Sequence, residues 1–387
     1  MPTLIQAIRH AREQGTLPEG GVVSVRDLTQ RFRPSPTGSM RALLASMYGL
    51  NPTTRWGIVV TTITGLPRVT TLPLEWFERL FDDGDGVASY FRQMSGDRQV
   101  FSWRVFGPHD MYTAVEKAKV AGQGAAAESQ FLRAVARDKG IPVDEIDRFV
   151  WVIDQPGASG GTAGGNDLFI AAEHFTQQIV CHEIGHSFGV VFEGDRYVDG
   201  VVQGYGDSFC VMDNGPFARS FPNPRLEYNR DGHQHQTSGP VMCAAHLAVV
   251  GWLDRSNNVV ERTSDNAQSD VLIVANQGAP PVGSKDKVAL VIKPVPANAN
   301  GGELWVEYRL PIAFDRFIDR PVSTNNVDMP EGALVMHELR PDRHAILVGW
   351  VPARNGQTIA IPGTPHAVEI VSSSEPLRNA VLRIRRA

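Results

Sequence analysis

The sequence predicts a mixed α/β (α+β) domain over residues 51–257, followed by an all-β, sandwich-like domain over 258–387. Three observations lead there. In the first part, short apolar runs alternate with stretches of helical periodicity. From about residue 255 helical periodicity nearly disappears and strand-like runs follow one another. One predicted helix carries HEIGH at 182–186, a pattern with a chemical meaning of its own.

Length and composition set the limits. At 387 residues the chain exceeds one ordinary domain. Its 42% hydrophobic and 20% charged residues are the texture of a globular protein. A net charge of -5 gives no whole-protein attraction to nucleic acid or anionic membrane, so neither is an expected partner. RIRR at 383–386 reads as a solvated tail. No stretch approaches the apolar length of a membrane span. The start, MPTLIQAIRHAREQG, is an amphipathic-helix candidate without the apolar core of a secretory signal. Cys181, Cys210 and Cys243 are too few for a disulfide scaffold. Either Cys210 pairs with Cys243 and one thiol stays free, or all three are reduced and buried.

Residues 1–50 read as an N-terminal extension or pro-region of helix and loop, with a turn-rich break at 33–38. WGIVVTTI at 56–63 is a buried strand, LEWFERLFDD at 74–83 a helix and ASYFRQMSG at 88–96 another. A strand at 99–106 precedes a helical stretch at 110–140, broken at Gly122–Gly124. FVWVID at 149–154 is short, apolar and bounded by turn residues, hence a strand. PGASGGTAGGN at 156–166 lacks the GK[ST] and the strand–turn–helix setting of a phosphate loop, and reads as a surface loop beside a cleft. DLFIAA at 167–172 is a strand, and it or a neighbouring strand is the candidate cleft edge; residues 173–189 form one helix ending at glycine. VLIVA, KVALVIKPV, GELWVEYRL, GALVMHEL, HAILVGWV, QTIAI, HAVEIV and AVLRIRR supply the strands of the second domain.

HEIGH defines the candidate chemistry. His182 and His186 are four apart, so on a helix both imidazoles share one face and converge on one ion. Glu183 stands beside them, within reach of a water on that ion. Zinc in such a site polarises a carbonyl and acidifies water, and the glutamate shuttles the proton. A catalytic zinc has three protein ligands and one open position. The usual continuation, glycine then two residues then histidine, starts at Gly189 and lands on Phe192, which cannot ligate. Glu193, one residue on, is the preferred third ligand and Asp195 the second choice; Asp199 and Asp207 lie further away.

With those residues in view, the chain resembles the metzincin clan of zinc peptidases, in particular the immune-inhibitor-A and gametolysin-like enzymes. HEIGHSFG at 182–189 is similar to the start of the long zinc-binding consensus, YGDSFCVMDNG at 205–215 to the methionine-turn segment, and HLAVVGWL at 246–253 to the helix ending in Gly-Trp that follows. VASYFRQMSGDRQVFSWRVFG, GELWVEYRLPIAFD and PEGALVMHEL extend the likeness to about residues 50–340. The resemblance implies a zincin-like catalytic domain, a zinc endopeptidase with Glu183 as general base, and Met212 as the turn methionine beneath the metal. It also implies a protein or peptide substrate and export from the cell; a cytoplasmic enzyme fits the cysteine count equally well. A monomer is expected. Phe192 departs from the clan's histidine. The alternative is an inactivated relative that keeps zinc and binds protein or glycan.

Tyr205 and Tyr197 are candidates for an oxyanion donor or a wall of the site. His233 and His235 lie on a polar stretch that reads as a solvated loop. DDGDG at 82–86 hints at Ca2+ but lacks the EF-hand spacing and terminal glutamate, leaving Ca2+ a secondary expectation. Cys181 points roughly 100° away from His182 around the helix and is not expected to share its metal.

Overall fold

The computed structural model describes residues 53–82, 84–155, 161–164, 167–213, 221–228, 231–233, 235–264, 270–293, 302–315, 332–374 and 376–387. The expected extension at 1–50 and its break at 33–38 lie outside them.

Apolar and β-branched runs form β1 (Thr53–Ile63), β2 (Val100–Tyr112), β3 (Arg148–Ile153), β4 (Gly161–Gly164) and β5 (Asp167–Ala171), in the order β2-β1-β3-β5-β4. The first four strands in that order run parallel, and β4 closes one edge antiparallel to β5. Every residue of β3 is buried. The cause is the two-residue period of a strand in a sheet covered on both faces. Val150 and Val152 enter the main core, while Phe149, Trp151 and Ile153 enter a second core with Leu132 and Ala136.

Helices α1 (Leu74–Phe81) and α2 (Val87–Ser95) supply the main core with Trp76, Phe77, Tyr90 and Phe91. α3 (Ala114–Ala121) and α4 (Ala125–Asp138) are separated where Gly122–Gly124 predicted a break. β2 runs on to Tyr112, so Asp110–Tyr112 are strand where helix was expected; Thr113 then caps α3 with a reciprocal capping box to Glu116. α5 (Gln177–Ser187) carries HEIGH. It starts later than the expected 173 because the Thr176 side chain accepts from Ile179 N at 3.2 Å, capping the helix there.

β6 (Asp195–Val198) and β7 (Val201–Gln203) form a hairpin, and β8 (Phe221–Pro222) pairs with β9 (Thr237–Ser238). Short helices α6 (Ala244–Val249) and α7 (Arg255–Asn258) follow. The rest is strand: β10 (Val259–Thr263), β11 (Val271–Val274), β12 (Ala289–Lys293), β13 (Glu303–Arg309), β14 (Ala333–Leu339), β15 (Ala345–Pro352), β16 (Thr358–Ala360), β17 (His366–Ser374) and β18 (Asn379–Arg386). They make a seven-stranded sheet, β10-β12-β13-β14-β15-β6-β7, and a four-stranded sheet, β11-β18-β17-β16. All eight predicted runs of this region form strands; β10 was not foreseen. The whole is a mixed α/β protein.

The larger sheet is a middle layer. In β12, Ala289 and Val291 face the main core, and Leu290 and Ile292 face the core shared with the smaller sheet. β6 pairs in parallel with β15, so residues just after HEIGH enter a sheet otherwise built beyond residue 258. Among the described residues no helix is long and apolar enough to cross a membrane.

Candidate metal centre

α5 is anchored by Val180, Cys181 and Ile184 in the main core. Its other side holds His182 and Glu183, both buried, with His186 nearer the surface. The two histidine Nε2 atoms lie 3.0 Å apart. His182 Nδ1 faces Val211 O at 3.3 Å, and His186 Nδ1 faces Val190 O at 2.7 Å. A carbonyl only accepts, so each Nδ1 carries the proton and each Nε2 presents a lone pair. The second of these bonds depends on a sharp turn. Gly189, at φ 104°, reverses the chain so that Val190 O meets His186.

The reversed chain delivers Glu193. Its Oε2 stands 3.1 Å from His182 Nε2 and 3.5 Å from His186 Nε2. That oxygen is buried and meets no hydrogen-bond donor among the described residues. Two lone pairs and a carboxylate oxygen thus aim at one point, an arrangement that repels itself unless a cation stands between. Zinc–ligand bonds of about 2.0–2.2 Å in a tetrahedron set ligand atoms roughly 3.3–3.5 Å apart. The donor set and its spacing fit zinc. Without an ion, burial works against the charge on Glu193, but protons taken up by the two imidazoles hold its carboxyl well below the usual range. Burial likewise opposes charge on His186, and Glu193 with the Val190 carbonyl more than compensates, raising its pKa.

Glu183 has the opposite tuning. Burial raises its carboxyl pKa, the two histidines pull it down, and Glu193 adds to the rise; the net shift is upward. Gly161 of β4 lies against Glu183, so close that a Cβ there would strike the carboxylate. Part of the glycine-rich stretch is therefore the edge strand beside the site. Of the two candidates for the sheet's edge there, β5 is interior and its neighbour β4 is the edge.

Met212 is fully buried, and its Sδ would lie 2.5 Å from a Cβ on Gly185. It packs where α5 has no side chain, between the two histidines. Gly194 N donates to Met212 O at 2.7 Å, tying the Glu193 segment to the same turn. Trp252, from the predicted Gly-Trp helix end, packs edge-on to Phe188 at the end of α5.

Asp195 is not with the histidines. Its Oδ2 lies 2.7 Å from His344 Nε2, and its Oδ1 accepts from Tyr205 N at 3.2 Å. Entering β6 turns it away from α5 and toward β15. Phe192, at the position of a missing ligand, stacks on His344 at 4.3 Å. Tyr205 sits at φ 56° with its phenol beside Glu193; burial and that carboxylate push its pKa up to about 12. Tyr197 is engaged elsewhere, with Glu338 and with Arg340, whose Nη2 donates to it at 2.7 Å. His235 is buried, not solvated: it contacts Asp231 Oδ2 and Phe175 O, each at 3.1 Å. His233 is only partly exposed beside it. Asp82 of DDGDG pairs with Arg225 at 2.6 Å, and the described residues of that stretch join no metal-ligating group. All three cysteines are free and buried, so Cys210 and Cys243 are neighbours without a bond.

Comparison with protein-family models gives no match. Comparison with curated proteins gives none either. The likeness to metzincins therefore stands on the residues themselves.

The sequence reading missed the histidines that support the neighbouring turn. His337 Nε2 lies 2.8 Å from Asp207 Oδ2, and His246 Nδ1 lies 3.3 Å from Cys210 Sγ. A signal for the second was present: Cys243 and His246 are three apart, a ligand-like spacing.

Proposed function

We propose that the chain is a zinc-dependent endopeptidase in which His182, His186 and Glu193 hold the metal and Glu183 is the general base. The observation that carries this is the convergence of three donor atoms at 3.0, 3.1 and 3.5 Å, with both Nδ1 atoms tied to carbonyls. The metzincin likeness of HEIGHSFG and of the Met212 segment supports the same reading.

When bound, zinc supplies Lewis-acid polarisation of the scissile carbonyl and an acidified water. Glu183 takes the proton of the attacking water and passes it to the leaving amine. Its place beside His182, with the Gly161 backbone against it, suits that task. Tyr205, beside Glu193 and partly exposed, lines the entrance. An extended peptide adds to the edge of β4, where Gly161 brings backbone close to Glu183. The substrate is a protein or peptide, the enzyme acts as a monomer, and export follows from the likeness alone.

The test is Glu183→Gln against the unaltered chain on a broad peptide library, with zinc measured in both. Cleavage should fall by about 10²–10⁴-fold while zinc is retained. If neither form cleaves and both keep zinc, the inactive protein- or glycan-binding module replaces the peptidase.

A further inference from the structure

Beside the Met212 turn lies a second group of metal-ligating side chains that peptide hydrolysis does not use. Cys210, Cys243 and His246 each bring one donor atom within 4.8 Å of the other two, and all three are buried. Cys210 Sγ stands 3.3 Å from His246 Nδ1. The Cys243 backbone N–H donates to that sulphur at 3.3 Å, a bond that favours thiolate over thiol. Asp207 and His337 form a second group of the same span around Cys243. His246 Nε2 and His337 Nδ1 are buried with no hydrogen-bond partner among the described residues.

We infer that Cys210, Cys243 and His246 form a second, buried zinc site of structural type. The donor chemistry selects the ion. Two sulphurs and an imidazole suit zinc, whereas calcium and magnesium take oxygen. Three donors buried on every side, with no opening to a substrate, follow the structural rather than the catalytic pattern. The charge balances as well: two thiol protons leave as one divalent ion enters, so the buried net charge is unchanged. His337 of β14, held to Asp207 at 2.8 Å, closes the side of the cluster next to Cys243. A disulfide between Cys210 and Cys243 would account for the two sulphurs but not for the buried His246 ring beside Cys210.

The consequence is mechanical. Cys210 lies just before Val211, whose carbonyl holds His182, and Met212, which packs on Gly185. An ion at Cys210 fixes this turn to Cys243 and His246, at the start of α6. The second site thereby braces the first without touching substrate.

The experiment uses the full chain, loaded with zinc and freed of loosely held metal. Zinc content, zinc-edge X-ray absorption and thiol counting after denaturation in chelator are measured together. The expected result is sulphur neighbours at about 2.3 Å, three titratable thiols, as the free cysteines require, and loss of the sulphur signal in Cys243→Ser. Zinc with only nitrogen and oxygen neighbours overturns the inference. So does a single titratable thiol, which would mean a disulfide. Should Cys243→Ser fail to fold, the absorption edge of the unaltered chain still decides. His182→Ala keeps this result separate from the peptidase reading: it should remove the nitrogen-rich zinc and leave the sulphur-bound one.

Discussion

The His182 and Arg309 regions are both built from charged and metal-ligating groups, yet they differ in how the chain assembles them. The His182 region uses residues 182–193, one helix and one reversal, and stays open to solvent at Glu193, whose side chain is 32% exposed. The Arg309 region gathers residues 207–337 from a turn, two strands and the start of a short helix, and is sealed. Arg309 Nε and Nη2 each donate to Asp315 at 2.6 Å, and Nη1 to Glu307 at 3.1 Å and to Phe209 O at 2.7 Å. Glu307 in turn accepts from Ala244 N at 2.8 Å. Exposure leaves the first region open to solvent at Glu193. Complete burial marks the second as a brace, because buried charges persist only when every partner is in place.

The largest effect expected from breaking this contrast is at Arg309. Arg309→Met leaves Asp315 and Glu307 buried without their cation. Removing one partner of a buried ion pair costs about 3–5 kcal/mol. A denaturant midpoint well below that of the unaltered chain, at equal slope, is the expected result. A midpoint unchanged within error would show that water reaches this region and that the contrast with the His182 region is false.

The next effect separates two acids that are neighbours in sequence. Glu193→Gln should lose zinc from the His182 region, because the carboxylate oxygen is a ligand in this reading. Asp195→Asn should keep it, with affinity lowered by about 10–100-fold at most, since Asp195 acts only through Tyr205 and His344. Competition with a calibrated chelator reads both. Equal losses in the two variants would mean that Asp195 reaches the metal and the β6 geometry does not hold in solution.

The same contrast explains what the sequence made legible. HEIGH, Gly189 and Glu193 lie within a dozen residues, so helix periodicity and one turn bring them together, and both the histidine pair and the preferred acid could be named in advance. The eight strands after residue 270 were readable because β-branched runs alternate or lie in sheets covered on both faces. The Asp207–His337 pair was not readable, because nothing local relates a turn to a strand 130 residues later. Edge position was equally hidden. GTAG has no strand-like composition, yet β4 forms there because β5 offers it a ladder. His235 read as solvated because its neighbours are polar, whereas Phe175 O and Asp231 bury it by long-range contact.

The smallest effect tests the joint between the two regions. Gly194 precedes Asp195 and packs on the Met212 turn, where a Cβ would sit 2.5 Å from Asp213 N and 2.9 Å from Met212 C. Those atoms are backbone, held by Gly194 N to Met212 O at 2.7 Å, and cannot swing aside as a side-chain tip can. Gly194→Ala should therefore cost about 1–3 kcal/mol, the range for overpacking a tight site. The strain also bears on function, because the Met212 turn includes Val211 O, which orients His182, and Gly194 follows Glu193 directly. Zinc affinity in the His182 region should fall along with stability, while the Arg309 ion pairs, on the other side of the turn, should remain intact. A variant that loses stability but keeps full zinc affinity would mean that the histidines and Glu193 hold their geometry without the turn. In that case Met212 fills space in the core and does nothing more for the metal.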